Sequence, residues 1–273
     1  MSIPTITLND HHTIPQFGLG VFLMPPPQTK QHVLTALELG YRHIDTAAVY
    51  GNETGVGEAI AESGVPRDEL FITTKLWNDR QTDAPAALHE SLDKLGLDHV
   101  DLYLIHWPTP KYDTYVRAWL SLEQLQAEGL TRSIGVSNFH QEHLARVIAE
   151  GSVVPAVNQI EVHPTLPQFD LVQFSTDLGI AVEAWSPLGR TADLDAPAVV
   201  QIAKTLGRTP AQVILRWHVQ RGLIVFPKAS SRERLAENID IFDFELDDAA
   251  MQTLNGLGTD NRVGPDPETF NRH

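Results

Sequence analysis

The stretch RHIDTAAVYGNE, residues 42–53, carries a carboxylate, Asp45, at the end of a short run with strand character, and a lone tyrosine, Tyr50, shortly after it. ITTKLW and LYLIHWP end two further apolar runs on Lys75 and His106. Acid, phenol, amine and imidazole together could make a proton donor. A free tyrosine has a pKa near 10, too high for an efficient general acid at neutral pH. A neighbouring ammonium stabilises the phenolate and lowers that pKa, and a carboxylate can hold the ammonium in a partly buried site. The expected division of labour follows. Asp45 pairs with Lys75, Lys75 tunes Tyr50, Tyr50 protonates an oxygen gaining negative charge, and His106 supplies a second donor that orients this oxygen. None of the four can deliver reducing equivalents, so a reduction here needs a cofactor.

Each residue has a plainer reading when taken singly. Asp45 could cap the next loop, Lys75 could be a solvated strand terminus, His106 a satisfied core histidine, and Tyr50 mere packing. The conjunction is what points to chemistry, provided that one fold brings the four together.

The elements that would do so recur along the chain. FGLGVF (17–22), YRHID (41–45), LFITTK (70–75), VDLYLIH (100–106), RSIGVSN (132–138), AVNQIEV (156–162), IAVEAW (180–185) and GLIVFPK (222–228) are apolar runs with polar ends, as strands buried on both faces should be. Most gaps between them read as amphipathic helices: 29–40, with Val33, Ala36, Leu37 and Leu39 at helical spacing and a stop at Gly40; 82–96, opening on a candidate cap; 118–129; 141–151; and 209–222, with Thr209 as cap and Pro210 in the first turn. Eight strand–helix units predict a single (β/α)8 barrel domain over residues 1–273, a size near the roughly 250 residues typical of that fold. PTITLND and TIPQFG predict a hairpin, turned at Asn9–His12, that plugs the barrel bottom. In such barrels the active site lies at the C-terminal strand ends. Those ends are Asp45, Lys75, His106, Ser137–Asn138, Gln159, Trp185–Ser186 and Lys228.

Composition narrows the alternatives. Twenty basic and 35 acidic residues give a net charge of −15, which argues against a nucleic-acid partner. There is no cysteine, so disulfides, thiolate nucleophiles and cysteine-ligated metals are excluded. The N-terminus lacks a basic and apolar leader, and no apolar run approaches the roughly 20 residues of a membrane span. A cytoplasmic protein is expected, with no membrane partner. No H-x-H or H-E-x-x-H occurs, which disfavours a metal-dependent hydrolase; the spare histidines are His11, His12 and His163.

GYRHIDTAAVYGNE, ITTKLWN, DLYLIHWP, IGVSNF, VNQIEVHP and FPKASSRERLAENIDIFDFEL resemble, in order and across almost the whole chain, the aldo-keto reductase superfamily. LYLIHWPTP, LTRSIGVSN and TPAQVILRWH are most similar to its bacterial 2,5-diketo-gluconate reductase-like members. The resemblance implies an NADPH-dependent reductase of aldehydes and ketones, a monomer, with Asp45, Tyr50, Lys75 and His106 as catalytic tetrad. It implies that Ser137, Asn138 and Gln159 hold the nicotinamide carboxamide, and that Trp185 stacks on the ring. Ser186 and Leu188 would lie along the pyrophosphate. Lys228, Ser230, Arg234, Glu237 and Asn238 would grip the adenosine 2′-phosphate and adenine.

Independently of the resemblance, a chain carrying −15 needs a local basic cluster to hold a polyanionic dinucleotide, and Lys228, Arg232 and Arg234 supply one. The G-x-G-x-x-G fingerprint is absent; GVGEAI (55–60) is only a fragment of it and reads better as a packed helix start. The family commonly has serine after the lysine of PKS, where this chain has Ala229, so NADPH preference is expected to be weaker than in relatives with the serine. Phe22, Trp77, Trp107 and Phe139, with Trp185, are expected to wall the substrate pocket, and Phe270 to fold over it. Short loops predict an open pocket of broad specificity for sugar ketoacids, methylglyoxal and other aldehydes, ketoesters or small diketones. The overall charge disfavours strongly anionic substrates unless His106 or Lys30 offsets it. A sensor that keeps the cofactor but lacks the chemistry is the remaining alternative, against which the complete tetrad argues.

Overall fold

Residues 3–273 are described by a computed structural model. Its strands form where the apolar runs lie: β1 Thr5–Thr7, β2 Thr13–Pro15, β3 Leu19–Gly20, β4 His43–Asp45, β5 Phe71–Leu76, β6 Val100–Ile105, β7 Thr131–Ser137, β8 Val157–Glu161, β9 Ala181–Trp185 and β10 Ile224–Val225. Strands β3 to β10 pair in parallel with sequence neighbours throughout. The sheet also meets itself. Phe17 bridges Val225 in parallel; the Gly18 amide donates to the Val225 carbonyl at 2.8 Å, and the Val225 amide to the Gln16 carbonyl at 3.1 Å. The eight strands thus close into the expected barrel.

Helices cover the outside: α1 Pro26–Glu38, α2 Glu53–Ser63, α3 Ala84–Leu95, α4 Tyr115–Ala127, α5 Gln141–Glu150, α6 Phe169–Asp177, α7 Pro197–Leu206, α8 Pro210–Gln220, α9 Arg232–Ile239 and α10 Asp248–Asn255. Val33, Ala36 and Leu37 are buried on α1 as their spacing requires. That helix starts at Pro26 rather than Thr29, because the prolines at its start carry a helical φ and need no amide partner there. Thr209 caps α8 by accepting from the Gln212 amide, completing a capping box. The start of α3 differs from expectation. Asp83 makes no side-chain cap bond; its carboxylate lies 3.1 Å from the Arg80 guanidinium instead. GVGEAI lies inside α2, and a side chain at Gly57 would collide with the Leu95 backbone carbonyl of α3. Close helix packing, as expected, accounts for that glycine.

The hairpin β1–β2 pairs antiparallel, turning where the Leu8 amide donates to the His12 carbonyl. Leu8 and Ile14 are buried against Phe71, Leu102, Leu104, Val157 and Ile224, so the barrel bottom is closed by apolar contact. No described helix is long and apolar enough to cross a membrane.

Candidate active site

At the other end the strands deliver polar groups. Side chains alternate across a strand with period two, so His43 and Asp45 share one side of β4, Thr73 and Lys75 one side of β5, and Glu183 and Trp185 one side of β9. Lys75 is fully buried. Its Nζ donates to both Asp45 oxygens, at 2.7 and 2.8 Å, and to the Thr46 carbonyl at 2.9 Å, so its three protons are all engaged. Tyr50 ends a short 3-10 turn, Ala48–Tyr50, closed by Gly51 at φ +67°, a conformation that glycine adopts without penalty. The Lys75 Nζ sits 5.2 Å from the centre of its ring. His106 follows β6, edge-on to Tyr50 at 5.8 Å and to Trp77 at 5.1 Å. The four expected residues are therefore brought together.

What holds Tyr50 in place was not read from the sequence. The Asn52 side chain accepts from the Thr46 hydroxyl at 3.0 Å and donates to the carbonyls of Val21 at 2.9 Å and Met24 at 3.3 Å. Buried Glu53 accepts from the Thr74 hydroxyl at 2.6 Å. These bonds tie the Tyr50 loop to β5 and to the loop after β3. Asn52 and Glu53 stand in the same quoted stretch as Asp45 and Tyr50, so the signal was present but silent.

The electrostatics depart from expectation at Tyr50. Burial raises its pKa above the ordinary 10, Lys75 pulls it down, and Asp45 pushes it up, with a net rise. The ammonium moderates the phenol without bringing it into the neutral range, because burial outweighs it and the Asp45 carboxylate offsets part of its charge. Burial also works against Lys75, but Asp45, Tyr50 and Glu183 outweigh it and keep the amine charged. His106 is pushed well below 6.5 by burial and then by the Lys75 charge. It is a neutral imidazole, able to donate from one nitrogen only, and its Nδ1 has no partner.

The mouth opens into a cavity of about 830 Å³ lined by Asp45, Tyr50, His106, Ser137, Asn138, Gln159, Trp185, Ser186, Leu188 and Lys228. Asn138, at φ +64°, donates to the His106 carbonyl at 2.9 Å and to the Ser137 hydroxyl at 3.0 Å, and accepts from the Trp185 indole at 2.8 Å. One residue thereby locks three neighbours. Phe22, Trp77 and Trp107 line the cavity as expected, and Phe270 does too, with its ring 4.4 Å from that of Trp107. Phe139 does not. It is fully buried behind the wall against Tyr115 and His143, because the turn at Asn138 directs it into the packing between helices α4 and α5.

The tail is short but covers more than its length suggests. The Glu161 carboxylate accepts from the amides of Val263 at 2.6 Å and Gly264 at 2.9 Å, and His163 braces Glu161 and Asp193 at 3.0 Å each. From this anchor Pro265, Phe270 and Arg272 reach the cavity, so the tail supplies part of its wall. Arg190 also lines it. Lys228, Arg190 and Arg272 make the mouth locally basic in an acidic protein. Lys30 has no part in this, being paired with Glu62 at 2.9 Å on the helical surface.

The outer group is less converged. Lys228 lines the cavity and donates to the Leu23 carbonyl at 2.8 Å. Ser230, Arg234, Glu237 and Asn238 lie outside it, at the start and along the face of α9. Glu237 already accepts from the Thr209 hydroxyl at 2.8 Å, Asn238 is buried, and Arg232, counted in the basic cluster, pairs with Glu38 at 2.6 Å. Arg234 has no carboxylate partner among the described residues.

Fold and cavity together are those of a (β/α)8-barrel enzyme with its polar site at the C-terminal strand ends. The Aldo/keto reductase family model matches residues 16–258, and the chain belongs to that family. It is similar to an aldo-keto reductase of Mycolicibacterium smegmatis, 53% identical over 270 residues and 98% of each chain. It is 50% identical over 269 residues to a protein of Yersinia pestis named methylglyoxal reductase DkgA, covering 98% of this chain and 97% of that one. Among solved structures, a Gox0644 mutant in complex with NADPH superposes with a TM-score of 0.95 at 45% identity over 99% of both chains. A Bombyx mori aldo-keto reductase in complex with NADP does so with 0.91 at 40%, over 98% of this chain and 97% of that one.

Proposed function

We propose that the protein reduces aldehydes and ketones to alcohols with NADPH, using Tyr50 as the proton donor. The observation that carries this is the arrangement at the cavity floor: a half-buried tyrosine and a neutral histidine face the open space, with a fully hydrogen-bonded Lys–Asp pair behind them. The relatives whose structures contain NADPH or NADP support the cofactor, and the residues present fit it. A locked indole, a carboxamide oxygen on Gln159 with no protein donor, and the basic groups Lys228 and Arg234 suit a nicotinamide at the inner end and a phosphate at the outer.

When bound, NADPH supplies the hydride. Tyr50 keeps its proton throughout the neutral range, since its pKa lies above 10, and releases it to the carbonyl oxygen as negative charge builds there. Lys75 then stabilises the phenolate, and Asp45 keeps Lys75 charged and in place. His106 donates one hydrogen bond to the same oxygen and fixes its direction. Ser137, Asn138 and Gln159 hold the carboxamide, Trp185 offers its face to the ring, and Ser186 and Leu188 border the pyrophosphate. Lys228, Ser230, Arg234, Glu237 and Asn238 form the outer grip on the adenosine 2′-phosphate and adenine.

For the substrate we favour small dicarbonyls and ketoesters of the methylglyoxal kind. Phe22, Trp77, Trp107 and Phe270 give the cavity an apolar wall, and the 50% identical Yersinia protein is named a methylglyoxal reductase. Arg190 and Arg272 also bring 2,5-diketo-gluconate and other carboxylated substrates into range. The chain is read as a monomer, which light scattering checks, and the acidic, cysteine-free composition favours the cytoplasm. Ranking catalytic efficiency over methylglyoxal, a ketoester, 2,5-diketo-gluconate and 4-nitrobenzaldehyde, with NADPH and NADH, tests the reading. Turnover with NADPH on the small dicarbonyls is expected; NADPH binding without turnover on any of them would favour the sensor.

A further inference from the structure

A carboxyl that the proposed reaction does not use lies directly beneath its cofactor wall. Glu183, on β9, is fully buried and shares its side of the strand with Trp185. Its Oε2 is 2.7 Å from Gln159 Nε2, the nitrogen that also donates to Asp45 Oδ2 at 2.9 Å. Both amide hydrogens of Gln159 are therefore held by carboxyl oxygens inside the barrel. No protein donor reaches its Oε1, and Gln159 lines the cavity. Turning the amide over would set that oxygen against the Asp45 carboxylate.

We infer that Glu183 is a positioning residue that fixes, through Gln159, which end of the amide faces the cavity, so that the site presents an acceptor there and selects a ligand group carrying an N–H donor. Within the proposed function that group is the nicotinamide carboxamide, and the inference rests on that reading. Asp45 alone restrains one amide hydrogen; Glu183 takes the second, which would otherwise be free to turn toward the cavity. The surroundings suit a carboxyl that accepts without bringing in a second full charge. Burial and the Asp45 charge raise Glu183 to about 8, against the Gln159 hydrogen bond and Lys75. Its Oε1 has no hydrogen-bond partner; the nearest base is His43 Nε2, at 3.8 Å, itself held neutral, near 3, chiefly by burial.

The test compares the affinity of the protein for NADP+ and for its 3-acetylpyridine analogue, in which a methyl ketone replaces the carboxamide and the N–H donor is lost. Titration by tryptophan fluorescence reads binding without turnover. Wild type should prefer NADP+. Glu183→Met should reduce that preference about fivefold, on the order of one neutral hydrogen bond, because a released Gln159 amide can offer an N–H to the acetyl oxygen. Glu183→Gln, which keeps an acceptor in place, should restore the preference. If Glu183→Met weakens both nucleotides equally, Glu183 is only a packing residue and the inference fails while the carboxamide site stands. If wild type and Gln159→Leu both bind the two nucleotides alike, the carboxamide is not held at Gln159 and the underlying reading fails with it. Should the methionine variant not fold, Glu183→Ala, which leaves room for water, is read in the same way.

Discussion

The inner and outer ends of the cavity are built differently. At the inner end Asp45, Lys75, His106, Asn138 and Gln159 come from successive strands whose register fixes their heights, and their polar atoms are cross-linked by bonds between 2.7 and 3.0 Å. At the outer end Lys228, Ser230, Arg234 and Glu237 come from a loop and the flank of one short helix, and part of the basic group is already engaged elsewhere. Closely spaced parallel strands place side chains with little freedom. A helix beyond the barrel rim leaves placement to long side chains and exposed ion pairs, which are individually weak. The proposed function thus places the chemistry on the rigid end and the cofactor preference on the adjustable one.

Substitutions should separate the two ends by the size of their effects. The largest is expected from Lys75→Met at the inner end. Turnover should fall by a factor on the order of 10²–10⁴, and an uncompensated Asp45 in the interior should cost about 3–5 kcal/mol in denaturant unfolding. A Lys75→Met protein that melts like wild type would mean that the pair is better solvated than the structure indicates.

Gly264→Ala, between the two ends, should act next. A Cβ there would collide with the Trp185 ring and come within 2.9 Å of Glu161 Oε2. Lifting the tail should raise KM several-fold with a smaller change in kcat, and crowding should cost about 1–3 kcal/mol. An unchanged KM would remove the tail from the pocket wall. The smallest effects belong outside. Arg234→Ala should lower the ratio of NADPH to NADH efficiency roughly tenfold, the order of one charged hydrogen bond. Arg232→Ala, whose partner is the exposed Glu38, should leave it nearly unchanged. A larger loss at Arg232 than at Arg234 would reverse the assignment of the outer grip.

The unequal legibility of the sequence follows the same division. Strand ends were readable only in conjunction: Asp45, Lys75 and His106 each have a plainer explanation alone, but successive apolar runs that deliver all three to one rim point to a pocket. Phe139 was misplaced because a phenylalanine after Ser137–Asn138 reads alike whether it turns toward the cavity or behind it, and the left-handed backbone at Asn138 decides that. The tail anchor was unreadable: Glu161 binds backbone amides about a hundred residues away, and backbone amides leave no mark in a sequence. Glu183 could have been found from its two-residue spacing before Trp185. The pKa of Tyr50 could not, since it turns on whether burial outweighs the Lys75 charge, and depth of burial is not written in the sequence.

Raised rather than lowered, Tyr50 also sets a direction for pH. Reduction needs the phenol and should stay level through neutral pH, falling only above 10. Alcohol oxidation needs the phenolate and should climb as pH rises toward that value. An oxidation rate already saturated at pH 7 would show that Lys75 prevails over burial.

The central claim, that Tyr50 gives the proton, is tested most directly by Tyr50→Phe, with NADPH-dependent turnover and NADP+ affinity measured on the same preparation. The variant should lose reduction by at least about 10² while binding NADP+ within about twofold of wild type. Wild-type turnover in Tyr50→Phe would contradict the account and pass the proton to His106.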